Sequence, residues 1–300
     1  MVTYSGTLAG SDGSTLAVTG TLSPAPVTPV TPVTPGGVTT RRRMLWHQGW
    51  QGPSITAWPV DVAPSLTTVC LDMCQSAGAG TGKLADPPGV TKSQILALAG
   101  DGVEVLAGIG GSGDGGITIT TAAQVADAYA SIVSMQSRLA IAGVVLDLEG
   151  DPGSGWTPAT MIQLGQLVVG AGMRFGICSA LYSGRLAAWG SVAKALGASL
   201  DHWQRMFYDF PQATSSQLSG VVTGQQGFAA MRPYLVRDEQ LVASFMPQTP
   251  SDTNTSPVGV ITAAYSAART AGWADAGWAV FEDAIEQANG WTATRALGQL

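Results

Sequence analysis

Charge is scarce in this sequence. Lysine and arginine total 14 and aspartate and glutamate 20 in 300 residues, giving a net charge of -6 and a pI near 4.8. That balance excludes a nucleic-acid partner, whose phosphates require a basic face. The one basic cluster, Arg41-Arg42-Arg43, reads as the solvated start of a domain. Cysteine is nearly absent too. The three, Cys70, Cys74 and Cys178, are odd in number and contain no Cys-x-x-Cys, which argues against a disulfide framework or a zinc site. Cys70 and Cys178 lie in apolar runs, where a cysteine is by default a small buried hydrophobe. The two histidines, His47 and His202, are not at metal-ligand spacing and read as structural, so neither metal nor cofactor is expected. No apolar run reaches membrane-spanning length, so membrane insertion is not expected. Met1–Gly6 has neither a basic nor an apolar leader region, so no signal peptide is expected.

What is present is 45% hydrophobic residues, 39 glycines and 17 prolines. Three zones follow. Residues 1–23 are rich in Thr, Ser and Gly. Val2-Thr3-Tyr4 and Leu16-Ala17-Val18 flank a turn signal at Ser11-Asp12-Gly13, which reads as a β-hairpin; a disordered tail is the alternative. A lone hairpin is marginal in water, so this piece is expected to dock on another chain or add to another sheet. Residues 24–40 hold Pro24-Ala25-Pro26 and three Val-Thr-Pro triplets, an extended polyproline-like spacer.

Residues 41–300 alternate strand-like and helix-like stretches. Eight short apolar runs read as strands: 44–49, 67–73, 103–109, 143–148, 174–179, 204–208, 241–245 and 278–281. Helical stretches are expected at 92–99, 122–138, 157–169, 191–196, 260–271 and 292–300. Alternation implies parallel pairing. Eight units over this length predict an α/β fold, a (β/α)8 TIM barrel. The competing open doubly wound sheet would carry a Gly-rich phosphate loop after its first strand, and Trp46-His47-Gln48-Gly49-Trp50 is not one.

The chemistry concentrates on the fourth strand. Side chains alternate along a strand, so Val145, Asp147 and Glu149 share one face. In a barrel that face points inward, and active sites sit at the C-terminal strand ends. Two carboxylates there repel, and partial burial raises the pKa of at least one. A carboxyl still protonated near neutrality suits a departing glycosidic oxygen. An ion pair with a nearby Arg or Lys is the bland alternative, but no cation lies in this strand. On the sixth strand Gln204, Met206 and Tyr208 share a face. The third strand ends Gly108-Ile109-Gly110-Gly111, where glycines admit close backbone approach. Trp46, Trp50, Trp58, Trp156 and Trp203 fall near strand ends or loops. Aromatic faces there suit sugar stacking, although core packing accounts for most such residues.

Together these motifs resemble glycoside hydrolase family 18, the chitinase-like barrels, across residues 44–300. The family's fourth-strand pattern Asp-Gly-x-Asp-x-Asp-x-Glu stands here as Ala142-Gly143-Val144-Val145-Leu146-Asp147-Leu148-Glu149. Gln-x-Met-x-Tyr-Asp is matched by Gln204, Met206, Tyr208 and Asp209. Ser-x-Gly-Gly is matched except for its serine, here Gly108. Phe281 stands where the family places a tryptophan. The resemblance implies a substrate-assisted retaining mechanism. Glu149 would protonate the leaving oxygen, Asp147 would orient the substrate's acetamido nitrogen, and Tyr208 would hydrogen-bond its oxygen. Gln204, Met206, Asp209, Phe281, Gly110, Gly111 and Trp46 would line the substrate site. The substrate would be an N-acetylhexosamine glycan of a cell wall or surface. Val145 removes an acid that in the family shares a hydrogen bond with the next aspartate, so a barrel that binds glycan without cutting it is the second reading. A docking hairpin, a spacer and a glycan-active barrel without an export signal look like a bacteriophage tail component, located in the virion and held to other tail proteins through residues 1–23. A structural tail protein with a vestigial pocket is the third reading. The glycan's identity and homo-oligomerisation stay open.

Overall fold

The computed structural model describes residues 2–9, 15–22, 41–181, 185–208, 214–249 and 255–300. The chain divides into two compact units, Met1–Thr34 and Pro35–Leu300. In the first, β1 (Val2–Ala9) pairs antiparallel with β2 (Thr15–Leu22), with Val2 opposite Leu22 and Ala9 opposite Thr15. The proline-rich spacer at 24–40 lies outside the described residues.

The second unit is a closed barrel of eight parallel strands. These are β3 (Arg43–Gln48), β4 (Thr68–Cys74), β5 (Glu104–Gly111), β6 (Gly143–Leu148), β7 (Arg174–Ser179), β8 (Trp203–Met206), β9 (Leu241–Phe245) and β10 (Gly277–Val280), which returns to β3. The strands are buried on both faces, which is why they read as continuous apolar runs rather than as alternation. Around them lie α1 (Lys92–Gly100), α2 (Ala122–Leu139), α3 (Pro158–Gly170), α4 (Arg185–Leu196), α5 (Ser215–Thr223), α6 (Phe228–Met231), α7 (Val258–Thr270), α8 (Asp283–Ala288) and α9 (Thr292–Gly298). Four of them begin alike. Thr91, Thr121, Thr157 and Thr214 each accept from the backbone N–H three residues on, and that residue's side chain returns the bond, which satisfies first-turn donors that the helix leaves orphaned. Among the described residues no helix is long and apolar enough to cross a membrane.

Two layers of core follow from the closure. Outward strand residues such as Val69, Val144, Phe175 and Trp203 pack under the helices. Inward ones, Met44, Trp46, Cys70, Leu106, Val145, Cys178, Met206 and Ala279 among them, fill the barrel. All three cysteines are buried and free.

Arg42 corrects the expectation of a solvated arginine run. It is 3% exposed and lies under the N-terminal end of the barrel. It donates to Thr68 Oγ1 at 2.9 Å and pairs with Glu104 and Asp201. Arg174 adds contacts to Glu104 at 3.1 Å and Asp201 at 3.8 Å, and His202 Nδ1 lies 2.7 Å from Asp201. Burial works against the Arg42 charge, yet the two carboxylates outweigh it and hold its pKa above the ordinary value. Each of these groups opens a strand or stands within two residues before one, so only the closed barrel brings them together. Three helices, α5, α6 and α8, carry no sequence expectation, and α4 starts six residues before the expected Ser191. These stretches are short or glycine-interrupted, so the 3.6-residue period never becomes readable.

Candidate active site

The strand register places the inward side chains in layers. Trp46 is level with Cys70 in the pairing, Cys70 with Leu106, and Leu106 with Gly143. Followed around to β3, the pairing descends by eight residues, the shear of a (β/α)8 barrel. At constant height, therefore, the residue two strands on is two positions beyond the paired one. Alternate strands then stack Cys70, Val145, Gln204 and Ala279 in one layer. Asp72, Asp147, Met206 and Phe281 form the layer above. Glu149 and Tyr208 stand above that, at the C-terminal mouth.

Between β4 and β6 runs β5, whose inward positions near the mouth are Gly108 and Gly110. A Cβ at Gly108 would lie 2.5 Å from the Trp46 ring, and one at Gly110 would lie 2.3 Å from the Asp147 carbonyl oxygen. Gly110 and Gly111 also have φ of +118° and +85°, open to glycine at little cost. The wall between Asp72 and Asp147 is therefore bare backbone.

The aromatic side of the mouth is organised around Phe281. Its ring stacks on Tyr208 with centroids 5.9 Å apart and planes 15° apart, and Trp46 meets it edge-on at 6.1 Å. Trp46 is 1% exposed and donates its indole N–H to Gln204 Oε1 at 3.2 Å, so it supports the pocket floor from beneath. Met206 and Gln204 are likewise buried in the interior, and among the described residues the Gln204 amide nitrogen has no hydrogen-bond partner. Asp209 lies outside the described residues. Trp58, Trp156 and Trp203 are buried, whereas Trp50, on the loop leaving β3 toward the mouth, is 47% exposed.

Glu149 is half-buried one residue past the end of β6. The backbone that carries it is clamped at the next residue. Gly150 N–H donates to Asp114, and Gly150 carbonyl accepts from Trp156 Nε1 at 3.0 Å. A Cβ at Gly150 would lie 2.0 Å from an Asp114 oxygen, so only glycine fits that clamp.

The electrostatics are those of buried carboxyls without cations. Burial first, then the Glu149 and Asp72 charges, push Asp147 well above the carboxylate range; a hydrogen bond with the Cys178 thiol offsets little of it. This is the shift expected from two acids on one inward face, and among the described residues no lysine or arginine pairs with Asp147. Sequence reasoning did not single out two further acids. Asp72, 1% exposed on β4, is raised to about 7, chiefly by burial and then by Asp283 and Glu149, with the Gln48 amide opposing. Glu282, 6% exposed just past β10, is raised to about 8 by burial, Asp72 and Asp283. The Glu282 backbone is fixed by its neighbour Asp283, which accepts from Gln48 N–H at 2.9 Å and Trp58 Nε1 at 3.2 Å and lies 2.6 Å from His47 Nδ1. The signal for Asp72 was present, since alternation from the inward Cys70 puts it inside the barrel. Glu282 had no such signal, because period-two alternation from Phe281 would turn it outward. Among the described residues no group of three or more His, Cys, Asp or Glu is arranged to hold a metal ion.

No family model matches the sequence, and no curated protein does. Solved structures do. A putative chitinase A from Streptomyces coelicolor superposes with a TM-score of 0.72 at 14% identity, over 86% of this chain and 97% of that one. The catalytic domain of a family GH18 chitinase from the fern Peteris ryukyuensis gives 0.68 at 17%, over 85% and 97%. The fold is that of the GH18 chitinases. The same fold serves a chitinase-like agglutinin from Robinia pseudoacacia, which gives 0.66 at 12%, over 85% and 99%.

Proposed function

We propose that this chain is a glycoside hydrolase that cleaves N-acetylhexosamine polymers with retention, the substrate's own acetamido oxygen serving as nucleophile. The observation that carries the reading is the vertical order at the barrel mouth: Glu149 directly above Asp147 on one strand, beside the Tyr208–Phe281 stack. Glu149, on its clamped backbone, is the proton donor to the departing oxygen. Asp147, whose charge burial disfavours in the empty site, accepts a hydrogen bond from the acetamido N–H as positive charge develops on that group, and so stabilises the transition state more than the ground state. The Tyr208 hydroxyl orients the acetamido oxygen, and the Phe281 face receives the sugar ring. Exposed Trp50 offers a further stacking face on the same rim.

The test is reducing-end release from chitooligosaccharides and from bacterial peptidoglycan, comparing the wild type with Glu149→Gln. Loss of the general acid should lower kcat by about 10²- to 10⁴-fold. Equal rates would refute the assignment of Glu149. A second reading, glycan binding without cleavage, is favoured by one feature: Val145 stands beneath Asp147 where the resembling family has an acid. Tight oligosaccharide binding with no product would select it. The arrangement of hairpin, spacer and barrel supports a place in a phage tail, with residues 1–23 as the docking element. Deleting residues 1–37 should then leave a folded barrel and abolish particle incorporation; incorporation of the truncated chain would refute it.

A further inference from the structure

The hydrogen-bonding inventory of the mouth is lopsided. One carboxyl oxygen of Asp147, one of Glu282 and the Gln48 amide oxygen have no hydrogen-bond partner among the described residues, and the buried Asp72 carboxyl has only the Gln48 amide facing it. Against these acceptors, among the described residues, stand the unpartnered Gln204 amide nitrogen and the Ser244 hydroxyl, both fully buried beneath them. Native interiors pair nearly all such groups, and an unpaired buried acceptor forfeits its hydration for nothing in return. The imbalance has a place as well as a sign. Asp72 and Glu282 flank Gln48 on the β10–β3–β4 side, while Glu149, Asp147 and Tyr208 stand on the β6–β8 side. The β5 wall between the two sides is the backbone of Gly108 and Gly110, with the Trp46 ring packed over Gly108. Both extra acids are more than nine-tenths buried, and no ion pair reaches either of them among the described residues.

A group that satisfies several converging acceptors must bring donors, and one that relieves several carboxyls must bring positive charge. A protonated primary amine brings both, with three N–H donors on one compact cation. We propose that the mouth recognises a partially de-N-acetylated hexosamine chain, the ammonium of a glucosamine-type unit binding against Asp72 and Glu282. The inference rests on the glycan reading above. It leaves the acetamido group of the cleaved unit on the Asp147–Tyr208 side and places the free amine on the other. The elevated pKa values of Asp72 and Glu282 have a consequence here. Near neutrality Asp72 is about half protonated and Glu282 mostly so, and a bound ammonium stabilises their ionised forms and drives protons off.

The test is calorimetric titration of the full chain at about pH 7 with a glucosamine hexamer, an N-acetylglucosamine hexamer and a lysine pentamer, in two buffers of different ionisation enthalpy. The glucosamine hexamer should bind about tenfold or more tightly than the other two and release protons. Asp72→Asn with Glu282→Gln should erase both the preference and the proton release while leaving binding of the N-acetyl hexamer within about threefold. Equal or tighter binding of the N-acetyl hexamer, equal binding of the lysine pentamer, or no proton release by the wild type would overturn the proposal, and the last needs no variant to fold. Hydrolysis is read separately. A chain that binds the amine but cuts nothing loses the catalytic reading and keeps this one. A chain that cuts N-acetyl oligomers and ignores the amine does the reverse.

Discussion

Replacing Asp72 with asparagine should stabilise the protein at alkaline pH. The side chain keeps its shape and loses only its ability to ionise. In the folded barrel Asp72 is lifted from the ordinary 3.8 to about 7 because burial penalises its charged form and Asp283 and Glu149 add repulsion. Folding therefore favours the protonated carboxyl. The sign follows from linkage: the unfolded chain gives up this proton near pH 4 and the folded chain only near pH 7. The wild type thus loses stability as pH rises through that interval and keeps the loss above it. The total is about 4 kcal/mol, of which about 3 falls between pH 5 and pH 8.5. Asp72→Asn has no such proton. Urea unfolding of both proteins at about pH 5 and about pH 8.5 should show the variant gaining about 3 kcal/mol on the wild type between the two conditions. Parallel pH dependences would refute the claim that Asp72 is buried without a compensating cation.

Three further outcomes follow from other parts of the barrel. Arg42→Ala leaves Glu104 and Asp201 facing each other at the closed end and should cost about 3–5 kcal/mol in urea unfolding, as the loss of one partner of a buried ionic cluster does; a cost under about 1 kcal/mol would show that Arg174 alone suffices. Gly150→Ala cannot keep the clamp on Asp114, so Glu149 must shift, and kcat on any cleaved oligosaccharide should fall about 10²-fold with little change in far-UV circular dichroism. Tyr208→Phe retains the stack on Phe281 while deleting the hydroxyl. Thermal stability should stay close to wild type while kcat drops, and an unchanged kcat would remove Tyr208 from the proposed mechanism.

The eight strands were legible because a barrel strand is covered on both sides and spells out a continuous apolar run bounded by glycine and polar residues. The pairing of Asp147 with Glu149 was legible because alternation alone puts them on one face. What lay hidden depends on closure. Arg42 looks solvated in a row of three arginines, and its partners Asp201 and Glu104 stand 159 and 62 residues away. Asp72 sits in the apolar run Val69–Cys74 and reads as one polar interruption until the register sets it beside Asp147. Glu282 follows a strand end, where the chain turns inward against the rule of alternation. The short helices were invisible for a related reason: α6 and α8 span four and six residues and are fixed by tertiary contacts rather than by propensity.

The two glycines of β5 set a limit on how this interior can change. Most positions in a barrel wall can trade one apolar side chain for another while the neighbours repack. Gly108 and Gly110 cannot, because the volume a first methyl group would need is already held by an indole ring and by a backbone carbonyl. Sequence drift in this protein is therefore expected to run freely over the helices and to stall on one strand. Saturation mutagenesis scored only for folded, soluble protein should then show a narrow band of intolerance along β5, independent of any effect on sugar chemistry.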